Sequence, residues 1–352
     1  MAKNKVNLYD LDLDELQNLL KQWGEPRYRA DQIWVWLYKH LATEIAEMTS
    51  LPKALRAKLE AETTLEVPQV VAVQESIDGE TRKDLLQFRD GEQVEVVLMR
   101  YIERRTACIS TQIGCPLKCT FCATGQMGFR RNLTSGEIVA QALHFERELQ
   151  AQDQRLTNIV LMGMGEPFYN YDATVAALRR LMHPDGLQMG QRRMTVSTAG
   201  IAPGIRQFAD EDTQVNLAVS LHAATDDLRD ELMPINRRYN LDALFLAVNE
   251  YIKKTNRQVT FEWVLIDEVN DTAEQAIALA ARISGMLIHM NLIPLNPTMG
   301  FEGRPSSPER IEAFTDILTR RHIPFTLRLR RGTDISAGCG QLRAQASEKD
   351  SG

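Results

Sequence analysis

From about residue 105 onward the chain alternates short, almost wholly apolar runs with amphipathic stretches of helical period. That alternation restricts the fold more than any other feature. The apolar runs are Ala107–Ile113, Asn158–Met164, Met194–Ser197, Val215–His222, Val259–Ile266, Leu287–Leu295 and Pro324–Leu329. Between them lie helical stretches such as Ser135–Leu149, Asp172–Met182, Leu241–Lys254, Thr272–Ser284 and Pro308–Arg321. Strands that are apolar on both faces are buried on both faces, which in a βα repeat means a parallel sheet covered by helices. A doubly wound sheet and a barrel both fit this pattern. In parallel α/β folds ligands collect at the C-terminal ends of the strands. Residues that close the apolar runs are therefore the first site candidates.

The chain before this region has a different character. Leu13, Leu16, Leu20 and Trp23 recur at helical spacing before Gly24, Arg27–Leu41 carries a broad apolar face, and Ser50-Leu-Pro52 opens a third helix with Ser50 as its N-cap. Residues 1–65 thus predict a small helical accessory domain. Val67–Val73, Arg82–Phe88 and Gln93–Met99 are strand-like, with Asp78-Gly79 and Asp90-Gly91 as turns. Residues 66–104 predict a short antiparallel β extension linking the two parts, 105–345 the core, and 346–352 a flexible tail. A length of 352 residues accommodates one large and one small domain. No run approaches the roughly 18 consecutive apolar residues of a membrane span. Nor does a basic, apolar leader open the chain, so the expected location is cytoplasmic, without a membrane partner.

Chemistry concentrates in Cys115-Pro-Leu-Lys-Cys119-Thr-Phe-Cys122, three of only five cysteines. Three thiolates on one loop can hold three irons of a [4Fe–4S] cluster and leave the fourth open to a ligand. A structural zinc site normally closes with a second ligand pair, which is missing here. The nearest downstream histidine, His144, falls in a helical stretch. Three clustered cysteines also pair poorly as disulfides. From spacing alone, a three-ligand cluster and a zinc site both stand, the cluster ahead.

Further motifs close the predicted strands. Gly163-Met164-Gly165-Glu166-Pro167 offers backbone approach and a carboxylate for a ligand ammonium group. Ser197-Thr198-Ala199-Gly200, Ser220-Leu221-His222 and Asn296-Pro297 place hydroxyl, imidazole and amide groups at the same rim. Each alone reads as an ordinary turn; a shared rim is what makes them a set. Cys108 lies in the first core strand and reads as a small buried hydrophobe. Cys339 sits between two glycines, which suggests a mobile loop. A net charge of −6 does not advertise nucleic-acid binding. Arginines are nonetheless paired along the chain, and Arg130, Arg131, Arg328, Arg330 and Arg331 are the better candidates for phosphate contact.

Cys-x3-Cys-x-aromatic-Cys, with Phe121 as the aromatic, resembles the signature of radical S-adenosylmethionine (SAM) enzymes. Together with Cys108, Gly-Met-Gly-Glu-Pro, Ser-Leu-His and Ala-Gly-Cys-Gly-Gln-Leu around Cys339, the chain resembles the RlmN/Cfr family of radical SAM RNA methyltransferases over residues 5 to 345. The resemblance implies an α/β fold built on a partial (β/α)6 barrel. It implies a [4Fe–4S] cluster on Cys115, Cys119 and Cys122, with SAM bound by Gly165, Glu166, Ser197, Ser220, Leu221, His222 and Asn296 beside Phe121. Cys339 would carry a methyl group, Cys108 would resolve the RNA adduct through a transient disulfide, and Glu95 would accept the proton. Two SAM would be used per turnover. The implied product is adenosine methylated at C2 in 23S rRNA, at the peptidyl-transferase centre, with tRNA position 37 as a further substrate. Pro167 and Asn170 resemble the RlmN branch rather than the C8-methylating Cfr branch. The expected partners are RNA and an electron donor such as flavodoxin, and the expected state is a monomer. A zinc-containing RNA-binding protein is the reading outside enzymology.

Overall fold

The computed structural model describes residues 5–328 and 330–343; Leu329, the last two residues of the expected core and the expected 346–352 tail lie outside the described residues. Three helices build the N-terminal part: Leu13–Gln22, Tyr28–Tyr38 and Lys53–Glu62. The first starts at a reciprocal cap, in which Asp12 accepts from the Glu15 amide and Glu15 from the Asp12 amide. Ser50 is not the N-cap of the third. That position falls to Pro52, and the Ser50 hydroxyl instead accepts from Trp36 Nε1 at 2.8 Å.

This helical part is welded to the core. Arg180, buried in the helix Tyr171–Met182, donates to the carbonyls of Tyr9 (2.7 Å) and Asp10 (2.6 Å). The Gly136 amide donates to Asp10 Oδ1 at 2.8 Å. Leu16, Leu20, Ile33 and Trp34 continue the same hydrophobic core as the strands.

Among the described residues, ten strands form one sheet in unbroken chain order. They are β1 Gln69–Glu75, β2 Thr81–Gln87, β3 Gln93–Arg100, β4 Arg105–Cys108, β5 Asn158–Leu161, β6 Met194–Thr198, β7 Asn216–Ser220, β8 Val259–Leu265, β9 Ile288–Pro294 and β10 Phe325–Leu327. Strands β1 to β4 pair antiparallel, and β4 to β10 pair parallel. The extension is therefore not a separate linker: β3 pairs with β4 and continues the core sheet. The expected strand Ala107–Ile113 is split. It leaves the sheet after Cys108, and Gln112–Gly114 pairs instead with Phe129–Asn132. An apolar run reveals burial, not the partner that buries it.

Side chains from β2 through β10 line one interior cavity. The sheet is thus curled around its concave face, but among the described residues its edge strands β1 and β10 do not pair with each other. This is an open barrel.

Candidate active site

The cysteine loop is pinned at its base. Gly114 approaches the opposite strand so closely that a Cβ there would lie 1.8 Å from the Gly128 carbonyl oxygen. The Cys115 amide donates to that same oxygen at 3.0 Å. Across the loop, the Thr120 amide donates to Leu232 O at 3.0 Å. The C-terminal segment docks from the other side: the Ala123 amide donates to Gly340 O (2.7 Å) and the Thr124 hydroxyl to Leu342 O (2.6 Å).

All three cysteines face a cavity of about 200 Å³ together with Gly165, Glu166, Ser197, Ser220 and His222. Burial pushes the Cys115 thiol up to about 12 and Cys119 well above its ordinary value. Such sulfurs give up their protons only to a strongly positive partner. His222 is fixed as a neutral ring. Its Nδ1 accepts from the Val264 amide at 3.0 Å, which leaves the proton on Nε2, and burial followed by Arg229 lowers its pKa to about 3. Phe121 meets the His222 ring edge-on, with centroids 4.9 Å apart, and so joins the cysteine loop to the rim. Leu221 is buried behind that rim. Glu166 is largely committed: Oε1 accepts from the Phe168 amide (3.0 Å), Oε2 from the Ala199 amide (2.7 Å), and Thr198 adds a side-chain hydrogen bond.

A larger cavity of about 720 Å³ occupies the opposite half of the barrel, toward the N-terminal ends of the strands. Its mouth carries exposed Arg104, Arg192, Arg193 and Arg330. Cys339 lines both cavities, and Cys108 lines the smaller. Cys339 is exposed, yet the surrounding protein raises its thiol while the hydrogen-bonded Arg328 pulls it down. Burial drives Cys108 up to about 12. Both thiols are free.

Comparison with known proteins decides the family. Residues 6–65 match the family described as ribosomal RNA large subunit methyltransferase N-terminal domain, and residues 109–280 match the radical SAM superfamily. A relative from Myxococcus xanthus, "Dual-specificity RNA methyltransferase RlmN 1", is 49% identical over 99% of this chain and 97% of its own length. One from Chloroflexus aurantiacus, "Probable dual-specificity RNA methyltransferase RlmN", is also 49% identical, over 97% and 93%. The chain belongs to the RlmN family of radical SAM RNA methyltransferases. The crystal structure of a radical SAM methyltransferase from Sphaerobacter thermophilus superposes with a TM-score of 0.94 at 51% identity, covering 97% of this chain and all of that one. The cofactors of this class are a [4Fe–4S] cluster and SAM.

The residues fit both groups. Among the described residues, the one set of three His, Cys, Asp or Glu side chains with ligand atoms within 4.8 Å of one another is Asp84, His144 and Glu148, already ion-paired with Arg82. The three loop thiols are free and face one cavity, a set of three soft sulfur donors that suits an iron–sulfur cluster. Asn296 lines the larger cavity rather than the one shared by the three cysteines; it holds the Cys339 carbonyl through Nδ2 at 3.2 Å, and its buried Oδ1 has no partner among the described residues.

Glu95 stands apart from Cys108 and Cys339. It lines a third cavity, about 480 Å³, with Lys83, Asp334 and Arg343. There it pairs with Lys83 at 3.0 Å and accepts from the Arg343 amide at 2.6 Å. Arg131 is consumed internally by Glu137 (two contacts of 2.8 Å) and Asp90 (2.7 Å), whereas Arg130 stays exposed beside Glu92. Sequence reasoning missed Glu262, Asn270 and Arg229. Asn270 clamps His222 O (2.8 Å) and Val264 O (2.6 Å). Glu262, on β8, lines both cavities beside Cys339. A strand-interior glutamate in an apolar run was the one available signal.

Proposed function

We propose that this enzyme methylates adenosine at C2 in 23S rRNA and in tRNA, with Cys339 carrying the carbon and Cys108 releasing the product. The observation that carries this reading is the position of Cys339, at the junction of the cysteine-loop cavity and the arginine-mouthed cavity. The dual-specificity naming of the relatives supports the pair of substrates.

When bound, a cluster with an open iron supplies reductive cleavage of SAM to a 5′-deoxyadenosyl radical. The remaining work falls to the chain. C2 of adenine is electron-poor and does not attack a methyl donor itself, so a thiol must. Cys339 Sγ accepts a methyl group, with Arg328 favouring its thiolate. Once that methyl has lost a hydrogen atom, its carbon bonds to C2 and joins RNA to protein. The adduct radical gives up one electron to an external acceptor together with the C2 proton. Cys108, losing its own proton, then attacks Cys339 Sγ, the carbon–sulfur bond breaks with its electron pair on carbon, a disulfide forms, and that carbon takes up a proton as the methylated base departs. Burial keeps Cys108 protonated, which guards against an early attack. Glu95, whose carboxyl burial raises, accepts the C2 proton once the segment around Ser336–Arg343 has shifted from its docked position. The base reaches Cys339 from the arginine-lined mouth, where contacts to phosphate make binding weaken with salt. An external donor supplies the electron.

The test is nucleoside mass spectrometry on rRNA and tRNA from cells with and without the gene. Loss of 2-methyladenosine from both is expected. Loss of 8-methyladenosine would assign the C8 reaction instead, and unchanged nucleosides would refute the reading. Zinc without iron in anaerobically prepared protein would replace the enzyme with an RNA-binding protein.

A further inference from the structure

Arg229 is a charged side chain with no exposed surface. It projects from the short helix Asp226–Leu232 and spends its donors on neutral groups. Nε donates to Leu221 O (3.1 Å), Nη2 to Ala199 O (2.8 Å) and Ser220 O (3.1 Å), and Nη1 to Asn236 Oδ1 (3.0 Å). Among the described residues no carboxylate lies within the 4.0 Å of an ion pair with it. Asp226 and Asp230 are held one amide away, both accepting from Asn236 Nδ2, at 2.9 and 2.7 Å. Burial lowers Arg229 to about 10, and the strongest influence opposing it is Cys119, ahead of both aspartates.

A buried cation without a paired anion is expensive, so its counter-charge must be sought nearby. The same helix ends at Leu232, whose carbonyl takes the Thr120 amide of the cysteine loop at 3.0 Å. Three metal-bound thiolates would supply the missing negative charge.

We propose that Arg229 is a positioning residue for the cluster: a permanent buried positive charge on the helix that holds the cysteine loop at Thr120, which raises the cluster's reduction potential, while its hydrogen bonds fix the strand-end carbonyls of the rim. The inference rests on the cluster being held by Cys115, Cys119 and Cys122. Reduction adds one electron from the external donor and moves no proton. In a poorly screened interior, a fixed positive charge stabilises the more negative, reduced form. The arrangement also couples two tasks. Ser220 lines the cysteine-loop cavity and Leu221 is buried behind it, so the group that tunes the cluster would also set the rim of the cavity assigned to its co-substrate.

The test is an anaerobic redox titration of the full-length, cluster-loaded protein, followed by electron paramagnetic resonance. Arg229→Gln removes the charge and is expected to lower the reduction equilibrium constant at least tenfold, about 59 mV for a one-electron couple. Arg229→Lys keeps the charge but not the fork of hydrogen bonds, and should stay within about threefold of the parent by the same measure. Asp226→Asn removes an opposing charge and should shift the potential upward. A parent-like titration of an iron-replete Arg229→Gln protein would overturn the proposal. Should that variant lose its iron, an unchanged potential in Asp226→Asn overturns it equally. Iron content of the parent protein reports separately on the three-cysteine cluster: no iron there refutes that reading, whereas an iron-replete protein with an unmoved potential refutes only the role of Arg229.

Discussion

Replacing Gly338 with alanine perturbs the turn that presents Cys339 and leaves the barrel alone. A Cβ at 338 would stand 2.5 Å from Asn296 Nδ2, 2.8 Å from its Cγ and 2.8 Å from Gln341 Oε1. Both side chains belong to the turn's own support: Asn296 Nδ2 donates to Cys339 O (3.2 Å), and Gln341 Oε1 accepts from the Gly338 amide (3.0 Å). Alanine must displace one or both. Two neutral hydrogen bonds at about 1 kcal/mol each give about 2 kcal/mol, a roughly 30-fold shift toward local opening. Hydrogen exchange reads this directly. The Ala337 amide, bonded to Gly332 O at 2.8 Å, and the Gln341 amide, bonded to Gly338 O at 3.0 Å, both lie in the tryptic peptide 332–343. That peptide should exchange about 30 times faster in Gly338→Ala, while peptides covering β8 are unchanged. Unaltered exchange in 332–343 would refute the steric reasoning, and faster exchange throughout the sheet would refute its locality.

Glu262 yields a pH signature. Burial holds its carboxyl up at about 7 against an ordinary 4.5, so between those values the native protein keeps a proton that the unfolded chain has released. Stability then falls as pH rises through that window, by about 3 kcal/mol in all. Glu262→Gln keeps an acceptor for Asn291 and should reduce the slope in denaturant titrations at pH 5 and pH 8, leaving the like contribution of Glu166, which burial also raises to about 7; equal pH dependence in both proteins would contradict the assignment. Arg180→Ala strands two buried carbonyls and should cost about 3 kcal/mol in chemical denaturation. A loss below about 0.5 kcal/mol would mean that Arg180 is not the tie to the N-terminal part. Cys108→Ala should accumulate protein covalently joined to RNA during turnover, seen as an RNA-dependent mobility shift that survives denaturation but not nuclease; no such species would remove Cys108 from the release step.

The sequence conveyed periodicity and local chemistry well. The helix starting at Ser135 runs to Gln150, and the strand beginning at Val259 runs to Leu265, each within a residue or two of expectation. Both are long segments whose apolar spacing matches one period. What stayed hidden was partnership. The same apolar run could pair along its whole length or leave the sheet at Cys108, and only the hairpin with Phe129–Asn132 decides between them. Arg130 and Arg131 look alike in sequence, yet one is exposed while the other is locked between Asp90 and Glu137. Glu95 reads as a strand carboxylate, and its neighbours Lys83 and Arg343 come from chain segments 12 residues before it and 248 after. Arg229 carries no local signal, because what sets it apart is that no carboxylate among the described residues lies within ion-pairing distance.

The two cavities meeting at Cys339 give the barrel two doors. If RNA enters by the arginine mouth, a nucleotide-sized co-substrate in the smaller cavity and the bulky polymer need never occupy the same space, and Cys339 is a thiol within reach of both. An inhibitor lodged behind the arginine mouth would therefore exclude the RNA while leaving the opposite entrance open, and Cys339 could still be loaded with its methyl group.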